Sequence, residues 1–342
     1  MTVLLTMEVT MTAFAGITVF DGVFEDKLMP ATKEMLACAR KLAEVFNEKV
    51  NCILFGEGLN ETPKEAVAFG ADTVFVAEHP LLKDYNPDVY CIALDQITRQ
   101  TAPRCIILGQ TSIGADIAPR MAFKLGFDLI TDCIKINFNK ETESFLAVHP
   151  VYGGKIHAVF ASLNSQLIAT LRQKSIEPLE RDDSRKGEII PVKVDIDPAL
   201  IRIKVVEKIK EETEGIRLES APVVVSGGRG IGSKENFKHL KELAGILNGA
   251  VGGSRPASDN GWVPATSKVG LTGKIVAPNI YIAIGISGSS QHLAGCIGSK
   301  NIVAINNDPA ANIFRVSRYG VVGDWKEVLP GFTEKLRELT AS

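Results

Sequence analysis

The sequence predicts an α/β protein of two doubly wound domains, an N-terminal one on an open, mostly parallel sheet and a C-terminal one on a Rossmann-like sheet. Three observations carry this. Short runs rich in Val and Ile alternate with amphipathic stretches from residue 14 to about residue 200, the rhythm of right-handed βαβ crossovers. Residues 177–219 are dominated by Asp, Glu, Lys and Arg, the composition of a solvated face or linker. Beyond them strands resume, each running into a turn that bears Gly or Ser. A chain of 342 residues also exceeds one ordinary domain. The expected boundaries are 14–210 for the first domain, 211–221 for a hinge and 222–342 for the second.

Taken in order, residues 17–20 form a strand and 29–46, begun by Pro30, an amphipathic helix. Strands follow at 50–55, 73–77 and 104–108, with helices at 63–69, 87–98 and 113–125. The runs 133–138, 145–150, 155–162 and 166–171 read as strands joined by hairpins that extend one edge of the sheet. Charged residues from 177 onward read as its last strands and then an exposed hinge. In the second domain a strand at 222–225 enters Ser226-Gly227-Gly228-Arg229-Gly230, and Ser233 is placed to cap a helix over 234–247. Two further turns follow, Gly252-Gly253-Ser254-Arg255-Pro256 and Val269-Gly270-Leu271-Thr272-Gly273-Lys274. The apolar runs 281–286 and 302–305 flank Ser287-Gly288-Ser289-Ser290-Gln291-His292, and a last segment covers 320–324.

Composition excludes several classes. The 38 Lys and Arg nearly balance 40 Asp and Glu, which leaves no electrostatic footprint for nucleic acid or anionic lipid. No apolar run is long enough to insert in a membrane. The six cysteines form no C-x-x-C pair and the five histidines lack metal-ligand spacing, so no metal site is expected. The cysteines read as small buried hydrophobes of a reducing, cytoplasmic compartment. Residues 1–13, MTVLLTMEVTMTA, resemble neither a secretory signal nor a presequence. They read as a disordered extension, with Met1, Met7 and Met11 all candidate starts.

A Gly- or Ser-bearing turn between a buried strand and a helix offers free backbone N–H groups to an anion. One such turn is weak evidence, and several within about a hundred residues point to a dinucleotide lying across one sheet edge. By contrast Gly109-Gln110-Thr111-Ser112-Ile113-Gly114 is read more simply, with Thr111 or Ser112 capping the helix that follows, and residues 150–155 as a hairpin turn. No set of nucleophile, base and orienting group is present, which fits a carrier better than an enzyme acting alone.

The motifs Ser226-Gly-Gly-Arg-Gly230, Gly253-Ser254-Arg255, Val269-Gly-x-Thr-Gly-Lys274, Tyr281-Ile-Ala-x-Gly-Ile-Ser-Gly-x-x-Gln-His-Leu-Ala-Gly295 and Val303-Ala-Ile-Asn306-x-Asp308 together resemble the α subunit of the electron transfer flavoprotein. The resemblance extends more weakly over nearly the whole chain. It implies FAD in a deoxyhypusine-synthase-like C-terminal domain that swings to deliver electrons. It also implies a β subunit carrying AMP or a second FAD, and an acyl-CoA dehydrogenase or related flavoenzyme, or an iron–sulfur protein, as redox partner. In some members electrons from NADH are bifurcated.

Residue by residue, the resemblance implies that His292 contacts the flavin O2, where a donor or positive charge raises the potential. It sets Arg255 over the ring near N5, with the Thr272 hydroxyl at N5 and Gly273 beside it. Arg229, Ser254, Ser287, Gly288 and Gln291 would hold the pyrophosphate and ribityl chain, Arg being suited to phosphate by its planar fork. Asn306 and Asp324 would hold the adenosine, although Asn306 also reads as a strand-end turn residue. The chain departs from the family at Leu271 and Lys268, where glutamine is usual, and at His149, where arginine is usual. An NAD-dependent enzyme on the same C-terminal sheet, and a scaffold without redox function, are the competing readings, since fold alone does not decide between them.

Overall fold

The computed structural model describes residues 14–21, 23, 24, 27–154, 156–207 and 216–340. The extension 1–13 with its candidate starts, and positions 211–215 of the expected hinge, lie outside the described residues. The chain divides into two compact units. One holds the described residues up to Pro150 together with 157–207, and the other holds Val151–Ile156 and everything from 216 onward.

In chain order the first unit contains β1 (Ile17–Phe20), β2 (Val23–Phe24), β3 (Lys27–Leu28), α1 (Pro30–Phe46), β4 (Val50–Gly56), α2 (Thr62–Ala68), β5 (Thr73–Glu78), α3 (Pro87–Thr101), β6 (Cys105–Gly109) and α4 (Ser112–Leu125). There follow β7 (Asp128–Cys133), β8 (Lys135–Asn139), β9 (Ser144–Val151), β10 (Ile156–Ala161), β11 (Leu167–Leu171) and β12 (Glu188–Pro191). Seven strands form a sheet in the order β12-β5-β4-β1-β6-β11-β7, paired in parallel throughout. Parallel strands covered on both faces read as continuous apolar runs, and β1, β4, β6 and β11 are buried along their whole lengths. Ile17 and Val19 face α1 through Met35 and Leu36. Phe20 and Ile106 face α3 and α4 through Leu94 and Met121.

Two expectations change here. The run at 166–171 is not a hairpin strand: β11 returns to the main sheet between β6 and β7, parallel to both. Strands β8, β9 and β10 make a separate three-stranded sheet rather than extending the first. The charged stretch supplies the sheet's last strand, β12, as expected, but the residues after it are not simply an exposed hinge. Val194 and Ile196 are buried, and the Gln96 amide brackets Asp195, donating to its carbonyl at 2.6 Å and accepting from its N–H at 3.0 Å. The Asp88 carboxylate accepts from Arg202 N at 2.8 Å, and Asn86 Nδ2 donates to Ile203 O at 2.7 Å.

Helix ends follow their local chemistry. Asn86 accepts from Asp88 N and Val89 N to cap α3, and Thr111 Oγ1 accepts from Gly114 N at 3.1 Å to cap α4. With Gln110 N donating to Leu171 O, two of the N–H groups that could cradle a phosphate at this turn are already engaged. Glu34 on α1 is 6% exposed and its Oε2 accepts from Lys174 N at 2.5 Å. Burial pushes its carboxyl up to about 7. The six cysteines are free, five of them buried, and burial raises the thiols Cys38, Cys52 and Cys133 to about 12, which leaves them unreactive.

The second unit contains β13 (Val223–Gly227), α5 (Phe237–Ile246), β14 (Ala250–Gly253), α6 (Arg255–Asp259), β15 (Ile280–Ile284), α7 (Ser290–Leu293), β16 (Asn301–Asn306), β17 (Tyr319–Val322) and α8 (Trp325–Thr340). Its five strands are parallel, in the order β14-β13-β15-β16-β17. Helices α5 and α8 cover one face through Phe237, Leu240, Leu243 and Leu329. The other face is closed by Val269, Val276, Ile286 and Ile313 from turns rather than long helices. The helix expected over 234–247 begins only at Phe237, with no side-chain cap from Ser233, because the preceding residues form a turn in which Phe237 N donates to Lys234 O. Among the described residues no helix is long and apolar enough to cross a membrane, and no cluster of His, Cys, Asp or Glu is placed to hold a metal ion.

Candidate functional site

Because the strands of the second unit are parallel, all five open at their carboxyl ends on one edge. The chain passes from β13 out to β14 and returns to β15 on the other side, so the order reverses between β13 and β15. That is the switch point where doubly wound sheets bind ligands. There Gly228 N donates to Ile284 O at 2.9 Å and Gly230 N to Gly285 O at 3.1 Å. The two turns lie backbone to backbone: a Cβ on Gly228 would stand 2.1 Å from Gly285 O, and Gly285 itself has φ +61°, a conformation that glycine adopts without steric cost.

The other turns lock onto this pair. Val269 N donates to Gly253 O at 2.9 Å, Leu271 N to Gln291 O at 2.8 Å, Val276 N to Gly295 O at 2.7 Å and Ile313 N to Ser287 O at 3.1 Å. The helix expected after β15 is only the four-residue α7. An anion at Ser287–Gln291 therefore meets loop N–H groups rather than the dipole of a long helix. A cavity of about 350 Å³ opens beyond β13, β16 and β17, lined by Gly230, Gly232, Asn306, Gly323, Asp324 and Trp325.

The predicted residues fall into three groups. Arg229, Arg255, Thr272, Gly273, Ser287, Gln291 and Asp324 are exposed on the turns, and the Arg255 guanidinium makes only a 3.3 Å pair with Asp259. Asn306 is buried and its amide serves the chain: Nδ2 donates to Ile286 O at 2.9 Å and Oδ1 accepts from Asp308 N at 2.9 Å. These bonds are those of a strand-end turn residue, and Asn306 also lines the cavity. Asp324 Oδ1 accepts from Lys326 N to cap α8. Ser254, Gly288 and His292 are buried, with Gly288 packed against Ile313.

The expectation for His292, a donor or a positive charge, leaves its charge state open. The residue is 6% exposed, its Nε2 lies 2.9 Å from the Tyr281 hydroxyl, and burial pushes its pKa down to about 4, so the imidazole of the free chain is neutral at pH 7. Three buried polar atoms of this unit, Ser226 Oγ, Ser254 Oγ and His292 Nδ1, have no hydrogen-bond partner. Buried polar groups are nearly always satisfied, so these orphans, beside a glycine cradle that excludes side chains, fit a polar ligand.

Sequence reasoning missed Tyr281, Ser226 and Trp325. Trp325 Nε1 donates to Gly230 O at 3.0 Å and so holds α8 against the first turn. A tyrosine in an otherwise apolar strand was the available signal, since a buried phenol needs a partner.

Fold and site together define a dinucleotide-binding doubly wound protein. Comparison with known proteins narrows that class. Residues 217–297 match the electron transfer flavoprotein FAD-binding domain, and residues 18–197 the electron transfer flavoprotein domain. The electron transfer flavoprotein subunit alpha of Thermoanaerobacterium thermosaccharolyticum is 39% identical over 330 residues, 96% of this chain and 100% of the relative. That of Megasphaera elsdenii is 40% identical over 328 residues, 95% of this chain and 97% of the relative. Subunit LctC of the lactate dehydrogenase (NAD(+),ferredoxin) of Acetobacterium woodii is 34% identical, covering 93% of this chain and 76% of the relative. The chain belongs to the electron transfer flavoprotein α-subunit family. It is a flavoprotein of electron transport, and its C-terminal unit carries the family's FAD-binding domain.

Proposed function

We propose that this chain works as the FAD-carrying partner of a β subunit in a cytoplasmic heterodimer, shuttling electrons to or from an acyl-CoA dehydrogenase-type flavoenzyme. The observation that carries the reading is the meeting of five strand-end turns at one sheet edge above three buried, partnerless polar atoms. FAD supplies the redox chemistry when bound, and the residues supply position and field. Exposed Arg229, Ser287 and Gln291, with Ser254 and Gly288, line the path of the pyrophosphate and ribityl chain. The cavity at Gly230 and Asp324 takes the adenosine, with the free oxygen of Asp324 available to ribose hydroxyls. Arg255, Thr272, Gly273 and His292 border the flavin ring. Strand β10 leaves Val159 63% exposed and the following Leu163 96% exposed, and an apolar edge of this kind is a pairing surface, which we assign to the β subunit.

Co-expression with a β subunit tests the reading. The expected product is a yellow heterodimer whose flavin absorbance bleaches with dithionite. A colourless preparation that binds NAD would favour the NAD-dependent alternative, and a chain that purifies alone beside its β subunit would sink the heterodimer. The LctC relative, named for NAD(+) and ferredoxin, gives the count of FAD its interest. Two FAD per heterodimer with reduction by NADH indicates bifurcation, and one FAD with AMP indicates simple transfer.

Arg255→Ala separates a redox role from a scaffold. The Arg255 side chain is 69% exposed and weakly paired, so its loss should leave folding intact. Removing a charged donor from the flavin should lower the two-electron midpoint potential by about 20–40 mV, from about 1–2 kcal/mol for one such hydrogen bond. Spectroelectrochemical titration reads the shift, and an unchanged potential with FAD retained would remove Arg255 from the ring.

A further inference from the structure

Tyr281 is fully buried on β15, and its phenol makes one hydrogen bond, to His292 Nε2 at 2.9 Å. Ser226 Oγ and Cys296 Sγ lie beside the phenol, and Ser226 Oγ stands outside hydrogen-bonding geometry. Burial holds the phenol protonated, far above its ordinary range, and the Cys296 thiol up at about 12. No charge therefore faces the imidazole from this cluster. The ring's other nitrogen, Nδ1, has no partner in hydrogen-bonding geometry, and the Val269 backbone carbonyl lies beside the imidazole.

A neutral imidazole carries one proton, and its tautomer follows from the partner of each nitrogen. Were the proton on Nε2, Nδ1 would turn a bare lone pair toward a carbonyl oxygen, and the phenol O–H would be left with no acceptor in good geometry. With the proton on Nδ1, the phenol donates to Nε2 and the N–H faces an oxygen. We propose that Tyr281 is a positioning residue: it donates to His292 Nε2, holds the imidazole as the Nδ1–H tautomer, and so keeps that N–H ready for an acceptor on the flavin. Only the last clause rests on the FAD reading. Nδ1–H is the minor form of free histidine, so the assignment differs from what an unconstrained ring would show.

The test uses the full chain, labelled with ¹⁵N at its five histidines, at pH 7. Two-dimensional spectra of the flavin-free protein should show His292 Nδ1 with a pyrrole-type shift and Nε2 with a pyridine-type shift. FAD should move the Nδ1 resonance. Tyr281→Phe, which removes one oxygen and little volume, should shift the ring toward Nε2–H and weaken FAD binding about tenfold, the size of one hydrogen bond. Nε2–H in the unaltered chain overturns the proposal by itself, whether or not the variant folds. A variant with unchanged tautomer and unchanged FAD affinity overturns it too. Nδ1–H in a chain that binds no FAD supports the Tyr281 assignment and sinks the cofactor reading alone.

Discussion

Gly228→Ala should yield a colourless protein, with FAD affinity reduced about 100-fold or more, equivalent to about 3 kcal/mol. The added Cβ would stand 2.1 Å from Gly285 O and 2.7 Å from its carbonyl carbon. Neither atom can swing away, as both belong to a turn held by Gly228 N on Ile284 O and Gly230 N on Gly285 O. The two turns must separate, and with them the crevice between β13 and β15 to which we assign the pyrophosphate. The ratio of flavin to protein absorbance after purification, and calorimetric titration of the flavin-free chain, measure the effect. Gly245→Ala is the control, since a Cβ there meets nothing within 4 Å. Stoichiometric FAD in Gly228→Ala would show that this interlock does not shape the site.

Glu34→Gln should stabilise the N-terminal unit above neutral pH. The Glu34 carboxyl is raised from an ordinary 4.5 to about 7 by burial, so between those values the folded state holds a proton that the unfolded state has released. Stability on this account falls as pH rises from about 4.5 to about 7, and the penalty is complete above that. The shift corresponds to about 3 kcal/mol at 1.36 kcal/mol per unit. Glutamine keeps an oxygen for Lys174 N and carries no charge. Urea unfolding followed across pH 5 to 8 should show the variant gaining on the parent as pH rises. Parallel curves for the two proteins would refute the assignment.

What sequence reasoning reached and what it missed have physical reasons. Strands β1, β4 and β6 were legible because parallel strands covered on both faces are apolar at every position. Strand β7 was not, because it is the outer strand and its Asp128, Thr131 and Asp132 keep contact with solvent. Four short strands in succession carry the local signal of a meander, and only the distant pairing with β6 and β7 removes β11 from it. At the site, glycine and serine turns announce themselves locally. The bond between Tyr281 and His292 spans eleven residues and depends on α7 folding back over β15, which no spacing rule supplies. Asn306 was seen as a site residue, while its bonds to Ile286 and Asp308 required the neighbouring turn to be in place.

The bond from Leu271 N to Gln291 O, and that from Val276 N to Gly295 O, join residues 271–276 to α7 and the turn that follows it. Residues in direct contact respond to substitution non-additively. A change at Leu271 is therefore felt at Gln291 and His292 through the main chain as well as through any cofactor. The two segments are in effect one heritable part, to be exchanged between relatives together or not at all.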